Sequence, residues 1–139
     1  MKQPLLIVVI LVAVVLGAAV VYTSFWPTKF CKTDLICVSA PRPNQTISSP
    51  LVLEGEARGT WFFEASFPAR LFDDDGNEIA VAIAQAQGEW MTEDFVPFLA
   101  TLEFETPDTE QGMLVFEKDN PSGLPEYADQ LSMPVYFLR

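Results

Sequence analysis

Apolar and polar residues alternate along much of this chain with the two-residue period of a strand. The clearest stretch begins at Val96: Val96, Phe98, Ala100, Leu102 and Phe104 share one face, and Thr101, Glu103 and Glu105 share the other. That is the pattern of a half-buried antiparallel strand with one face in water. Comparable short runs lie at residues 35–39, 51–57, 61–67 with 70–72, 78–87, 113–117 and 133–138. Turn residues separate them at Ser49-Pro50, Asp75-Gly76-Asn77, Gln111-Gly112 and Pro121-Ser122-Gly123. Beyond residue 30 no segment holds a long helical period; Thr92–Phe95 suits the cap of one short helical turn.

The most aromatic stretch is Gly59-Thr60-Trp61-Phe62-Phe63-Glu64-Ala65-Ser66-Phe67, closed by Pro68. Its alternation puts Trp61, Phe63, Ala65 and Phe67 on one face and Phe62, Glu64 and Ser66 on the other. Aromatics on both faces predict a central strand buried on both sides. Glu64 would then need a charge partner, and Arg58 and Arg70 are near in sequence. About seven strands in roughly 100 residues predict an all-β, immunoglobulin-like antiparallel β-sandwich.

The N-terminus has a different pattern. Residues 5–21 are apolar or glycine without interruption, and Tyr22, Phe25 and Trp26 follow. At about 1.5 Å rise per residue this reaches roughly 33 Å as a helix, enough to cross a bilayer, with the aromatics at headgroup level. The competing reading is a cleaved signal peptide, for which Gly17-Ala18-Ala19 offers small residues. The apolar run is longer than such peptides need, which favours one transmembrane helix at 1–26. A linker with the cysteine pair follows at 27–39, and the sandwich occupies 40–139. Lysines flank the span on both sides and scarcely orient it. The acidic C-terminal part and the cysteines favour an extracytoplasmic domain on a single-pass bacterial membrane protein.

Charge and composition narrow the function. From Ile36 onward five Lys/Arg face eighteen Asp/Glu, a net charge of about −13 that repels phosphate backbones, so nucleic acid is excluded as a partner. The chain has no histidine, which removes Ser-His and Cys-His catalysis and histidine metal sites. Cys31 and Cys37 are too few for a zinc site and suit a small disulfide better than free thiols, given an oxidising compartment.

Several motifs together resemble a known family. Ser49-Pro50-Leu51, then Gly55-x-Ala57-x-Gly59-x-Trp61-Phe62-Phe63-Glu64-Ala65-Ser66-Phe67, are followed by Asp73-x-Asp75-Gly76 and Gly88-Glu89-Trp90-Met91. Phe95-x-Pro97-Phe98 and Asp119-Asn120-Pro121-Ser122-Gly123 complete the order. The series resembles the immunoglobulin-like domain of bacterial spore germination (the GerM-associated Gmad family), over roughly residue 36 to the C-terminus. The resemblance implies an extracytoplasmic bacterial domain, often behind a membrane anchor or lipoprotein signal, with no established catalytic residues to carry over. The GerM domain that accompanies it in sporulating bacteria is missing from this sequence.

The candidate residues carry modest chemistry. Trp61 and Trp90, with Glu89, Glu93 and Asn120, suit either a sugar-stacking platform or a packed sandwich core. Asp73, Asp75 and Asn77 resemble a weak calcium loop, but Gly76 falls too early for an EF-hand and a hairpin turn explains the same letters. Ser122 has Lys118 four residues before it, without the strand-to-helix elbow that a nucleophile would use. The expectation is therefore a non-catalytic envelope domain without cofactor or metal, binding an envelope protein or wall polymer. Trp61, Glu64, Trp90, Asn120 and Ser122 are its candidate binding residues; a carbohydrate-binding module using Trp61 and Trp90 is the alternative.

Overall fold

The computed structural model describes residues 28–139. Nine strands run in order: β1 (Phe30–Lys32), β2 (Ile36–Ala40), β3 (Thr46–Ile47), β4 (Leu51–Arg58), β5 (Ser66–Asp73), β6 (Glu78–Ala86), β7 (Phe95–Leu102), β8 (Gln111–Glu117) and β9 (Gln130–Phe137). They form one sheet in the order β1-β2-β4-β7-β6-β5-β8-β9-β3. All pairings are antiparallel except β3 with β9, which is parallel.

The sheet curls on itself into an immunoglobulin-like sandwich. Phe67 on β5 and Phe98 on β7 have ring centroids 4.9 Å apart, although β6 lies between their strands in the sheet order. Phe98 meets Phe116 of β8 at 5.9 Å. Among the described residues, the strand ladder passes from one half to the other where Gln85 and Ala86 of β6 pair with Leu99 and Phe98 of β7. Inward residues Leu53, Phe67, Leu71, Phe98, Leu114, Phe116, Met133 and Val135 fill the space between them, and their burial is the main favourable term of folding.

The alternation read from Val96 holds: Val96, Phe98, Ala100 and Leu102 are buried in β7 and the residues between them are exposed. The stretch 61–67 differs. Gly59–Trp61 is a 3₁₀ turn, and Phe63 to Ser66 is a two-residue hairpin turn in which each main-chain N–H donates to the other's carbonyl, at 3.0 and 3.1 Å. Glu64 and Ala65 both have positive φ, 49° and 63°, as this turn requires. A single strand would send Trp61 and Phe62 to opposite faces, whereas the turn lets the one core bury both.

Pro68 does not close a strand; β5 runs straight through it. Ala86 N–H donates to Ala65 O, so by alternation Pro68 turns its nitrogen away from β6. Pairing of β5 with β8 begins only at Ala69, so the missing N–H breaks no ladder bond.

The cysteine segment belongs to the sheet and is not a linker outside it. Cys31 and Cys37 face each other across β1 and β2 and are joined by a disulfide, and Ile36 and Val38 of β2 are core residues. Thr92–Phe95 forms no helical turn; the second 3₁₀ turn is Pro125–Tyr127. Among the described residues no helix is long and apolar enough to cross a membrane; the expected anchor at 1–26 lies outside them.

Candidate functional site

Strand directions bring four connections to one end of the sandwich: residues 33–35, 59–65, 87–94 and 118–129. These include the most distinctive motifs of the sequence. Gly59 sits at their centre. Its N–H donates to Asp94 O at 3.1 Å, and a Cβ there would lie 1.9 Å from Thr92 O and 2.3 Å from Trp90 O. Only glycine allows the 87–94 loop to close this tightly over the end of β4.

Arg58, next to it, holds three elements together. It is ion-paired with the Asp34 carboxylate, donates to Asp34 O at 2.9 Å and to Glu93 O at 3.2 Å, and lies 4.1 Å over the Phe95 ring. Lys32, from the disulfide-bonded hairpin, is ion-paired with Asp129 and donates to Gln130 O at 3.0 Å. Burial raises the Asp129 pKa, but bonds from Lys32 and the Gln130 N–H and the charges of Lys32 and Lys118 outweigh it, leaving the carboxyl below its usual range. These long-range partners had no signal in the sequence, because Lys32 and Asp129 lie 97 residues apart.

A cleft of about 560 Å³ opens where β8 departs from β5, between Pro68 and Arg70 on one side and Lys118, Asn120, Gly123 and Ala128 on the other. Arg70 crosses its floor, donating from Nε to Glu117 at 2.6 Å and from Nη1 to Glu78 at 2.9 Å. These bonds, the one to Glu117 foremost, raise the Arg70 pKa above its ordinary value. Cations from Arg70 and Lys118 and anions from Glu117, Asp119 and Asp129 share the lining.

The structure places the candidate residues unequally. Trp61 is 1% exposed, so it has no free face for a sugar ring, and its Nε1–H meets no acceptor among the described residues. Trp90 is half-buried and packs against the core. Trp61 therefore cannot form one half of a stacking platform with Trp90, because the core covers it. Glu64 is exposed at the hairpin tip; its expected partners Arg58 and Arg70 are bound to Asp34, Glu78 and Glu117 instead. Asn120 lines the cleft and Ser122 is bonded to it, both bonded mainly within their own loop. Asn120 Nδ2 donates to Leu124 O at 2.9 Å, Ser122 Oγ to Asn120 Oδ1 at 2.6 Å, and Leu124 N–H to Ser122 Oγ at 3.2 Å.

At the opposite end, Asp73–Asn77 is the β5–β6 turn. Asn77 donates to both Asp73 oxygens, N–H to Oδ1 at 2.8 Å and Nδ2 to Oδ2 at 2.9 Å, and Gly76 takes φ +84°. Those bonds, the side-chain one largest, pull the Asp73 pKa down. Among the described residues no three acidic or cysteine side chains converge as a metal would require.

The curled all-β sheet and the motif-bearing loops at one end define an immunoglobulin-like domain. The chain belongs to the Gmad2 family, the immunoglobulin-like domain of bacterial spore germination, whose family model matches residues 35–123. That match runs from the start of β2 through the Asn120–Gly123 loop. No curated protein and no solved structure matches the chain.

Proposed function

We propose that this chain is a non-catalytic binding or scaffolding domain of the bacterial cell envelope, held outside the cytoplasm by its N-terminal apolar segment. Family membership supports a germination-related role. One observation carries the reading. Gly59, the Gly88–Met91 loop and the Asp119–Gly123 loop gather at one end of the sandwich, where they build a braced rim beside a mixed-charge cleft. Rigid loops on a sheet scaffold are a common platform for recognition. The exposed apolar side chains Met91, Leu124 and Tyr127 lie on these loops and offer contact area to an envelope protein or wall polymer.

Site-specific photo-crosslinking in native envelopes tests this reading. A crosslinker at Tyr127 or Met91 should capture the same species, and one at Val52, on the outer face of β4, should not. No adduct from the loop positions, or equal adducts from all three, would overturn it. Carbonate washing tests the location: full-length protein should stay with the membranes. Release of a chain beginning near residue 20 would refute the anchor.

A further inference from the structure

The two outer faces of the sandwich differ. On β4 the outward residues are Val52, Glu54, Glu56 and Arg58, a mostly charged face of the kind that water covers. On the other half the outward residues of β6, β5, β8 and β9 are mostly apolar. In that strand order they include Val81 and Ile83, Phe72, Met113, and Pro134 with Tyr136.

The register makes them one band. Arg70 lies opposite Val81 on one side and Val115 on the other, and Met113 lies between Phe72 and Pro134. Val81, Ile83, Met113 and Tyr136 are 44, 51, 39 and 38% exposed, so the described residues leave much of the band open. Four strands about 4.8 Å apart, with side-chain rows about 7 Å apart, give it a breadth of roughly 20 Å each way. An apolar patch with a polar border marks a site of protein interaction. Tyrosine, phenylalanine, methionine and arginine, all present here, are the types that interface centres favour.

The cleft is one border of this band. Pro68 and Arg70, outward residues of β5, line it, and Asn120, Gly123 and Ala128 stand across from them. The 118–129 loop therefore rises as a wall beside the sheet face. Leu124 and Tyr127, exposed on that loop, add apolar surface to the wall.

Charge decides what can cover the band. Arg70 is spent on its own neighbours, with Nε bonded to Glu117 at 2.6 Å and Nη1 to Glu78 at 2.9 Å. The three side chains together keep one net negative charge. Both glutamates are 41% exposed and each binds Arg70 through one oxygen, which leaves the other oxygen for a further donor. Acidic groups also lie at both ends of the band: Asp74 and Asp75 in the β5–β6 turn, and Asp119 and Asp129, with Lys118, at the cleft. A second copy, at a net charge of −11, would bring like charges together, and an anionic lipid surface or wall polymer would be repelled in the same way.

We propose that this band is the docking surface for a basic, amphipathic segment of another protein. The segment lies in the trough between the sheet face and the 118–129 wall. Its apolar side covers Val81, Phe72 and Met113, and its lysine or arginine side chains reach the free oxygens of Glu78 and Glu117. Apolar burial holds it and the two carboxylates fix its placement. The proposal rests on the reading of the chain as a binding domain, and adds the face used and the chemistry of the partner.

Photo-crosslinkers at Val81 and at Met113 of the full-length chain in native envelopes test it, with Val52 on the charged face as the control. The first two should capture the same segment of one other protein, and Val52 should not. Mass spectrometry of the adduct should find lysine or arginine among the apolar residues of that segment. With the crosslinker at Met113, pairing Glu78→Gln with Glu117→Gln should lower the yield about tenfold or more, with circular dichroism unchanged. Val81→Lys should do the same and Val52→Lys should not. No adduct, an adduct to a second copy, to lipid or to a wall polymer, or a captured segment without basic residues would overturn the proposal. So would a yield indifferent to the paired glutamine variant and to Val81→Lys. Adducts at Tyr127 and Met91 with none at Val81 and Met113 would overturn it and leave the reading of the loops standing.

Discussion

The N–H of Asp119 donates to the carbonyl of Trp61 at 3.0 Å, tying the exit of β8 to the 3₁₀ turn that follows β4. Through this bond the cleft loop depends on the turn, and the turn depends on Gly59, where the 87–94 loop closes over it. The rim is one mechanical unit built from parts distant in sequence.

Gly59→Ala should therefore be costly. Its Cβ would collide with two main-chain oxygens, Thr92 O and Trp90 O, which yield less readily than the end of a side chain. A loss of about 3 kcal/mol is expected, as for overpacking at a close-packed site. Urea unfolding measures it, and a midpoint equal to that of the wild type would refute the role of the close approach.

The hairpin tip gives an opposite prediction. Glu64 is exposed and paired with neither arginine, so Glu64→Gln should leave stability within about 0.5 kcal/mol of the wild type. Ala65 sits at φ 63°, a region that disfavours a Cβ. Ala65→Gly should stabilise the domain by about 0.5–1 kcal/mol, the relieved strain exceeding the added unfolded-state entropy. Thermal melts of the two variants check both statements.

Acid should weaken the domain in a defined window. Asp129 and Asp73 both have folded pKa values below their ordinary ones. Their contributions are complete above the unfolded value of about 3.9 and are lost as pH falls through the lower folded values. Urea midpoints followed from about pH 6 to pH 2 should drop mainly below pH 4. Asp129→Asn should be less stable near neutrality and flatten that drop; parallel curves would contradict the assignment.

The Cys31–Cys37 bridge closes a loop with a sequence separation of 6. Replacing both cysteines by serine should cost about 2 kcal/mol on the loop-entropy scale, with local loosening of β1 and of the Lys32–Asp129 pair. Hydrogen exchange across Phe30–Lys32 would report the loosening. Without reductant, thiol reagents should label neither cysteine of the wild type.

The sequence by itself determined most of the strands, the inward face of β7, the hairpin at Asp73–Asn77 and the family. Each of these rests on local periodicity or on turn chemistry, which neighbouring residues specify between themselves. It misassigned Trp61–Phe67 because alternation counts faces without knowing that a turn can bury Trp61 and Phe62 in one core, and Glu64-Ala65 carries no glycine or asparagine to announce that turn. It left the cysteine pair outside the domain because β1, which carries Cys31, has three residues, too few positions to show a period. Only the tertiary structure decided that Arg58 binds Asp34 and Glu93, that Lys32 reaches Asp129, and that Trp61 is a core residue and not a binding face. These outcomes depend on strands that meet across the curl of the sheet.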